Sequence, residues 1–189
     1  MPPSRRCRPV IAILAAGLLS VATVACGDRT GAPTAPAGPA APTAPAAVRA
    51  LPPPAPQPVA EGPCRYLPAA AVQSDNGERV VAVRISNTGP EQPQPACFFL
   101  TYHGVVALRT WIVVATPAVA RATVDAAAPV ASSDLAELPG GWSGGSQPTA
   151  DGAVFAVSRL GTAVVITTNQ RQTIGARRIA QQVIAALGL

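Results

Sequence analysis

The sequence predicts an α+β fold: a mostly antiparallel sheet of about five strands with two or three helices, in one disulfide-linked domain covering residues 63–189. Three observations carry this expectation. Apolar, β-branched runs recur at residues 80–86, 97–102, 105–115, 153–159 and 162–168. Short turn signals join several of them, too short for the crossover that parallel neighbours need. A 3.6-residue apolar stripe closes the chain, as in a helix with one buried face. Strands linked by tight turns, with helices set apart from them, give an α+β layer rather than a wound βαβ sheet.

After Cys64, residues 66–74 suit a short helix with Pro68 in its first turn, ended at Asn76-Gly77, where a left-handed residue closes a helix at little cost. In 80–86, Val81, Val83 and Ile85 alternate with Arg84 and Ser86, which predicts a strand with one buried face. His103-Gly104 reads as the turn between the next two strands. Thr116-Pro117 starts a helix, a capping hydroxyl followed by proline at the first helical position, and 118–128 continue it as far as Pro129. Residues 134–152, rich in glycine, serine and proline, are expected to form a loop. Leu160-Gly161 turns a second hairpin. In the last helix Asn169 is expected to cap, with Gln172 completing a capping box. Ala176, Ile179, Ala180, Val183, Ile184 and Leu187 form the buried stripe, and Arg177, Arg178, Gln181 and Gln182 fall opposite.

The N-terminal third has another character. Arg5, Arg6 and Arg8 precede an uncharged apolar run, 10–25, which as a helix reaches about 24 Å, short of the ~30 Å hydrocarbon core. That is a signal peptide over 1–25 rather than a permanent span. It ends in Thr23-Val24-Ala25-Cys26, which resembles the bacterial lipobox, so Cys26 is expected to carry the lipid of a mature lipoprotein. From Cys26 to Gly62 the chain is built mainly of alanine, proline, threonine and glycine, which is expected to form a disordered tether that in polyproline II geometry spans at most ~110 Å. Localisation on the outer face of the cytoplasmic membrane follows, with the membrane itself as a partner through the anchor. Of the four cysteines, Cys7 leaves with the signal and Cys26 takes lipid. Cys64 and Cys97 then remain in an oxidising compartment and are expected to pair.

Composition removes several function classes. All 14 basic residues are arginine, so Schiff-base, Walker-type and lysine-base chemistry have no residue to use. Without the three arginines of the signal, 11 face 9 acids, too small an excess for nucleic-acid binding by phosphate neutralisation. With a single histidine, His103, no metal site or cofactor is expected.

Several short motifs stand in a fixed order: Cys64-Arg65-Tyr66-Leu67, Asn76-Gly77, Ala96-Cys97-Phe98-Phe99, Gly141-Trp142-Ser143-Gly144-Gly145, Thr167-Thr168-Asn169-Gln170 and Ala176-Arg177-Arg178-Ile179-Ala180. Together they resemble an actinobacterial lipoprotein family classed as a domain of unknown function, number twenty-twenty, over about 64–189. The resemblance implies a domain outside the membrane with two paired cysteines, and it brings no catalytic residue with it.

Gly141-Trp142-Ser143-Gly144-Gly145 also matches Gly-x-Ser-x-Gly, and His103, Asp125 and Ser143 follow the order of trypsin-like proteases. A nucleophile elbow needs a strand before the serine and a helix after it, and neither is predicted here, so no catalytic residue and no enzyme activity is expected. Trp142 and Ser143 in the glycine-rich segment, with Arg177 and Arg178 on the last helix, are the candidate binding residues. The expected function is a non-catalytic binding module that meets a cell-envelope protein, glycan or lipid. The alternative is a carrier of a lipid or acyl chain in an apolar cavity.

Overall fold

The computed structural model describes residues 49–87, 89 and 95–189; the signal segment, Cys26 and the tether as far as residue 48 lie outside the described residues. A single sheet of eight strands organises the domain: β1 (Ala60–Glu61), β2 (Ala82–Ile85), β3 (Ala96–Leu100), β4 (Val106–Val114), β5 (Asp134–Leu138), β6 (Trp142–Thr149), β7 (Gly152–Arg159) and β8 (Thr162–Thr168). They run in the order β1-β2-β3-β4-β8-β7-β6-β5, and every neighbouring pair is antiparallel. The three helices are α1 (Ala69–Asn76), α2 (Pro117–Ala127) and α3 (Thr173–Leu187).

The fold class agrees with expectation and the strand count does not: eight strands replace about five. Two of the additional strands come from 134–152. This stretch is a hairpin, not a loop, with β5 and β6 joined through Pro139, Gly140 and Gly141. Glycine, serine and proline weaken any local strand signal, so β6 owes its conformation to pairing with β7 from Ser143 to Thr149 and with β5 on its other side. The third is β1, which lies in the stretch read as tether. Val59 N–H donates to Ile85 O at 2.9 Å and Gly62 N–H to Val83 O at 3.1 Å, so the sheet begins before Cys64.

Helices cover both faces. On one side α1 and α3 lie over Phe99, Leu108, Phe155, Val164 and Ile166; on the other α2 packs mainly over β7 and β8, against Val154, Ala156, Ala163 and Val165. The stripe of α3 behaves as its periodicity requires, with Ala176, Ile179, Ala180 and Val183 buried and Ile184 and Leu187 at its margin. Thr116 caps α2 by accepting from Val119 N–H, with Pro117 next, as predicted.

Both other helix starts shift. Pro68 precedes α1 rather than lying inside it, and α1 ends at Gly77 in the left-handed region, φ 73°. The N-cap of α3 is Gln172 with no side-chain cap, because Asn169 is committed elsewhere. In β2 only Ile85 of the alternating valine-isoleucine set is fully buried, and Val81 stands outside the strand, 45% exposed.

The Cys64–Cys97 disulfide is formed, with Cα atoms 5.7 Å apart. It ties the segment after β1 to β3, and beside it Tyr66 and Leu67 enter the core. The Tyr66 hydroxyl meets Thr110 Oγ1 at 2.7 Å, which satisfies two polar groups that β4 and its covering segment bury. Burial pushes the Tyr66 phenol above its ordinary value, partly opposed by that hydrogen bond. No helix among the described residues is long and apolar enough to cross a membrane.

Candidate functional site

The glycine-rich signature is explained by packing. Trp142 is 2% exposed and belongs to the core beneath α3, with the Arg159 guanidinium 5.5 Å from its ring centroid and Arg159 Nη1 donating to Gly140 O at 3.3 Å. The indole is therefore a core side chain rather than the contact surface expected of it. Gly144 and Gly145 allow β6 to lie close to its neighbours. A β-carbon at Gly144 would stand 2.0 Å from Ala156 O and 2.8 Å from Val124 Cγ1, and one at Gly145 would stand 2.4 Å from Ser133 Oγ.

Ser143 is exposed, inside a strand rather than at a strand-to-helix turn. It lines a groove of about 300 Å³ with Asp125, Ser133 and Ser158. The register places it in one row with Ser158, Ala163 and Val113. His103 lies beyond the opposite end of β4, about 23 Å of strand from that row. His103, Asp125 and Ser143 are thus not brought together.

The two arginines diverge. Arg177 donates from Nη2 to Glu137 O at 2.8 Å, which occupies one carbonyl of edge strand β5. Arg178 Nη1 lies 3.8 Å from Asp75 Oδ1 with its side chain 65% exposed, a loose pair of little energetic consequence. Arg177 thus reaches β5 from the α3 side, whereas Ser143 lines a groove with α2 residues on the other face, and Arg178 turns toward α1.

What the structure does bring together are two of the motifs on which the family resemblance rests. Asn76, at the end of α1, is 8% exposed and reaches the end of β8. Its Oδ1 accepts from Thr168 Oγ1, and its Nδ2 donates to Asn169 Oδ1 at 3.1 Å. Asn169 Nδ2 donates to Glu78 Oε2 at 2.8 Å, and Gln170 Nε2 donates to Glu78 Oε1 at 3.2 Å. Asn169 N–H donates to Ala107 O at 3.0 Å. These amides latch α1 to the β8–α3 connection, since each is held by at least one partner within the group.

Asn169 then forms a wall shared by two clefts. One, about 530 Å³, is polar and runs between α1 and the start of α3, past Asp75, Gln170 and Arg171. The other, about 330 Å³, opens on the α2 side of the sheet and is lined by Phe98, Val105 and Val106 with Arg109 and Thr167. Sequence reasoning missed Arg109. Its signal was a lone charge inside the apolar run 105–115. No group of three or more histidine, cysteine or carboxylate side chains able to hold a metal occurs among the described residues.

Fold and site together define a small α+β domain: one antiparallel sheet with helices on both faces and two clefts meeting at the end of β8. The chain belongs to the family described as Domain of unknown function (DUF2020), whose model matches residues 46–189. The match takes in β1 and all that follows it. No curated protein matches the chain.

Proposed function

We propose that the chain is a cell-surface lipoprotein whose folded domain is a non-catalytic binding module, held on the outer face of the cytoplasmic membrane by lipid on Cys26. The observation that carries the reading is the Cys64–Cys97 disulfide. A structural disulfide persists in oxidising compartments and is rare where thiols are kept reduced. The rest of the argument is in the sequence: a basic start, a short apolar run, small residues before Cys26, and a proline-rich stretch that holds the domain off the bilayer. Two or more acyl chains make such an anchor stable where one is marginal.

The clefts at the end of β8 are the surfaces on which a cell-envelope partner is best met, because the amide latch holds their common wall rigid. The second reading, a carrier of a lipid or acyl chain, draws on the apolar wall of Phe98, Val105 and Val106. Against it, the space between the sheet and α3 is filled by Trp142, Phe155, Ile166 and Ile179, each at most 2% exposed. Native mass spectrometry of the full chain after mild extraction separates the two. The binding module retains only covalent lipid, and a stoichiometric noncovalent lipid would replace it with the carrier.

A further inference from the structure

Arg109 is the one charged residue of β4. Its register partners are Phe98 on β3 and Thr167 on β8, so all three side chains share a face of the sheet. Its Nη2 donates to Thr167 Oγ1 at 3.2 Å, while its Nε is buried with no hydrogen-bond partner. No carboxylate among the described residues pairs with it. Desolvation lowers the Arg109 pKa from its ordinary value, the mark of a cation drawn out of water without a counter-charge. A guanidinium carries five donors in a fixed fork suited to a carboxylate, and among the described residues only one hydrogen bond uses them.

The surroundings narrow the class of anion. Phe98, Val105 and Val106 make the wall beside Arg109 apolar, and Val105 and Val106 stay 51% and 40% exposed although both are β-branched. Asp151, on the rim, offers an acceptor to an N–H donor. The volume, about 330 Å³, is at the lower end for ligand sites and suits one residue with its backbone rather than a long chain. We propose that this cleft captures the C-terminal carboxylate of a peptide or protein whose last residue is apolar, with Arg109 taking the carboxylate and Phe98, Val105 and Val106 taking the terminal side chain. The proposal deepens the binding-module reading and rests on it.

The test uses the full chain in lipid nanodiscs and fluorescence anisotropy of a fluorescein-labelled tripeptide, glycyl-alanyl-leucine, as the free acid and as the C-terminal amide. The acid binds at least about tenfold more tightly than the amide, the worth of one charge-assisted hydrogen-bonded contact. Arg109→Gln removes that preference. Val106→Glu, at an exposed wall position that leaves the core untouched, removes it as well, and its unchanged melting temperature shows that folding is not the cause. Equal binding of acid and amide, or no binding of either, overturns the proposal. Displacement of the peptide acid by hexanoate at equal concentration overturns it in favour of acyl-chain binding. The anchor is read separately: a membrane-bound chain that ignores the peptide keeps the address and loses the cleft assignment, and a released chain that still prefers the acid does the reverse.

Discussion

Replacing Gly144 with alanine tests whether the Gly-Trp-Ser-Gly-Gly segment serves packing. The added β-carbon would stand 2.0 Å from Ala156 O and 2.8 Å from Val124 Cγ1. The carbonyl belongs to β7, a strand paired on both sides, so it has little room to retreat, and the change must push β6 away from β7 and α2. Overpacking a core typically costs ~1–3 kcal/mol, and a backbone obstacle places this case at about 2–3 kcal/mol. For a domain of this size each kcal/mol moves the melting temperature by about 3–4 °C, so a fall of roughly 6–12 °C is expected. Ser143→Ala, one residue away and exposed, should stay within about 0.5 kcal/mol of the parent. Thermal unfolding of the disulfide-intact protein, followed by circular dichroism, reads both. A Gly144→Ala protein that melts with the parent, or a Ser143→Ala protein that falls as far, would refute the packing account.

Four further outcomes follow from the core. Alkylation of the denatured, unreduced chain should leave Cys64 and Cys97 unlabelled, and reduction should expose both and cost about 3–4 kcal/mol of stability; labelling before reduction contradicts the pairing. Thr110→Val leaves the buried Tyr66 hydroxyl without its partner, a loss of about 1–3 kcal/mol that Tyr66→Phe in the same protein should largely restore. The raised Tyr66 pKa also fixes a sign: its contribution is fully present below the ordinary value near 10.0 and is lost as pH rises through the folded-state value, so denaturation midpoints of Tyr66→Phe should fall less steeply in alkali than those of the parent. With Trp111 replaced by phenylalanine, Trp142 fluorescence should resist acrylamide, and Trp142→Ala should lose about 3–5 kcal/mol; easy quenching with an unchanged melting temperature would restore Trp142 to the surface.

Legibility in the sequence tracked the strength of local signals. The α3 stripe, the Thr116-Pro117 start and the run 105–115 each carry a local pattern strong enough to identify the element, and the structure contains all three. β5 and β6 carry none, because Gly144 and Gly145 are required by what β6 packs against, and that neighbour is set by tertiary structure alone. The same glycines match the spacing of a catalytic elbow, which the expected neighbours rule out, and read as a loop for one reason: a glycine needed for close approach cannot be told in sequence from one needed for a turn. Asn169 resembles a helix cap because an asparagine before a helical stripe is a common cap, whereas its partners, Asn76 and Glu78, lie 93 and 91 residues away. Arg109 was legible in principle, as the single charge in a buried strand, but Phe98 and Thr167 beside it are supplied only by the pairing of β3, β4 and β8.

The proposed lipid anchor at Cys26 is read most directly from the mass of the N-terminal peptide of the mature protein, taken from the membrane fraction of a bacterial host that processes lipoproteins. The expected product is a chain that begins at Cys26 and carries a diacylglyceryl group, with Cys26→Ser yielding no lipidated product. A mature chain that retains Met1, or one cut elsewhere and free of lipid, would contradict it.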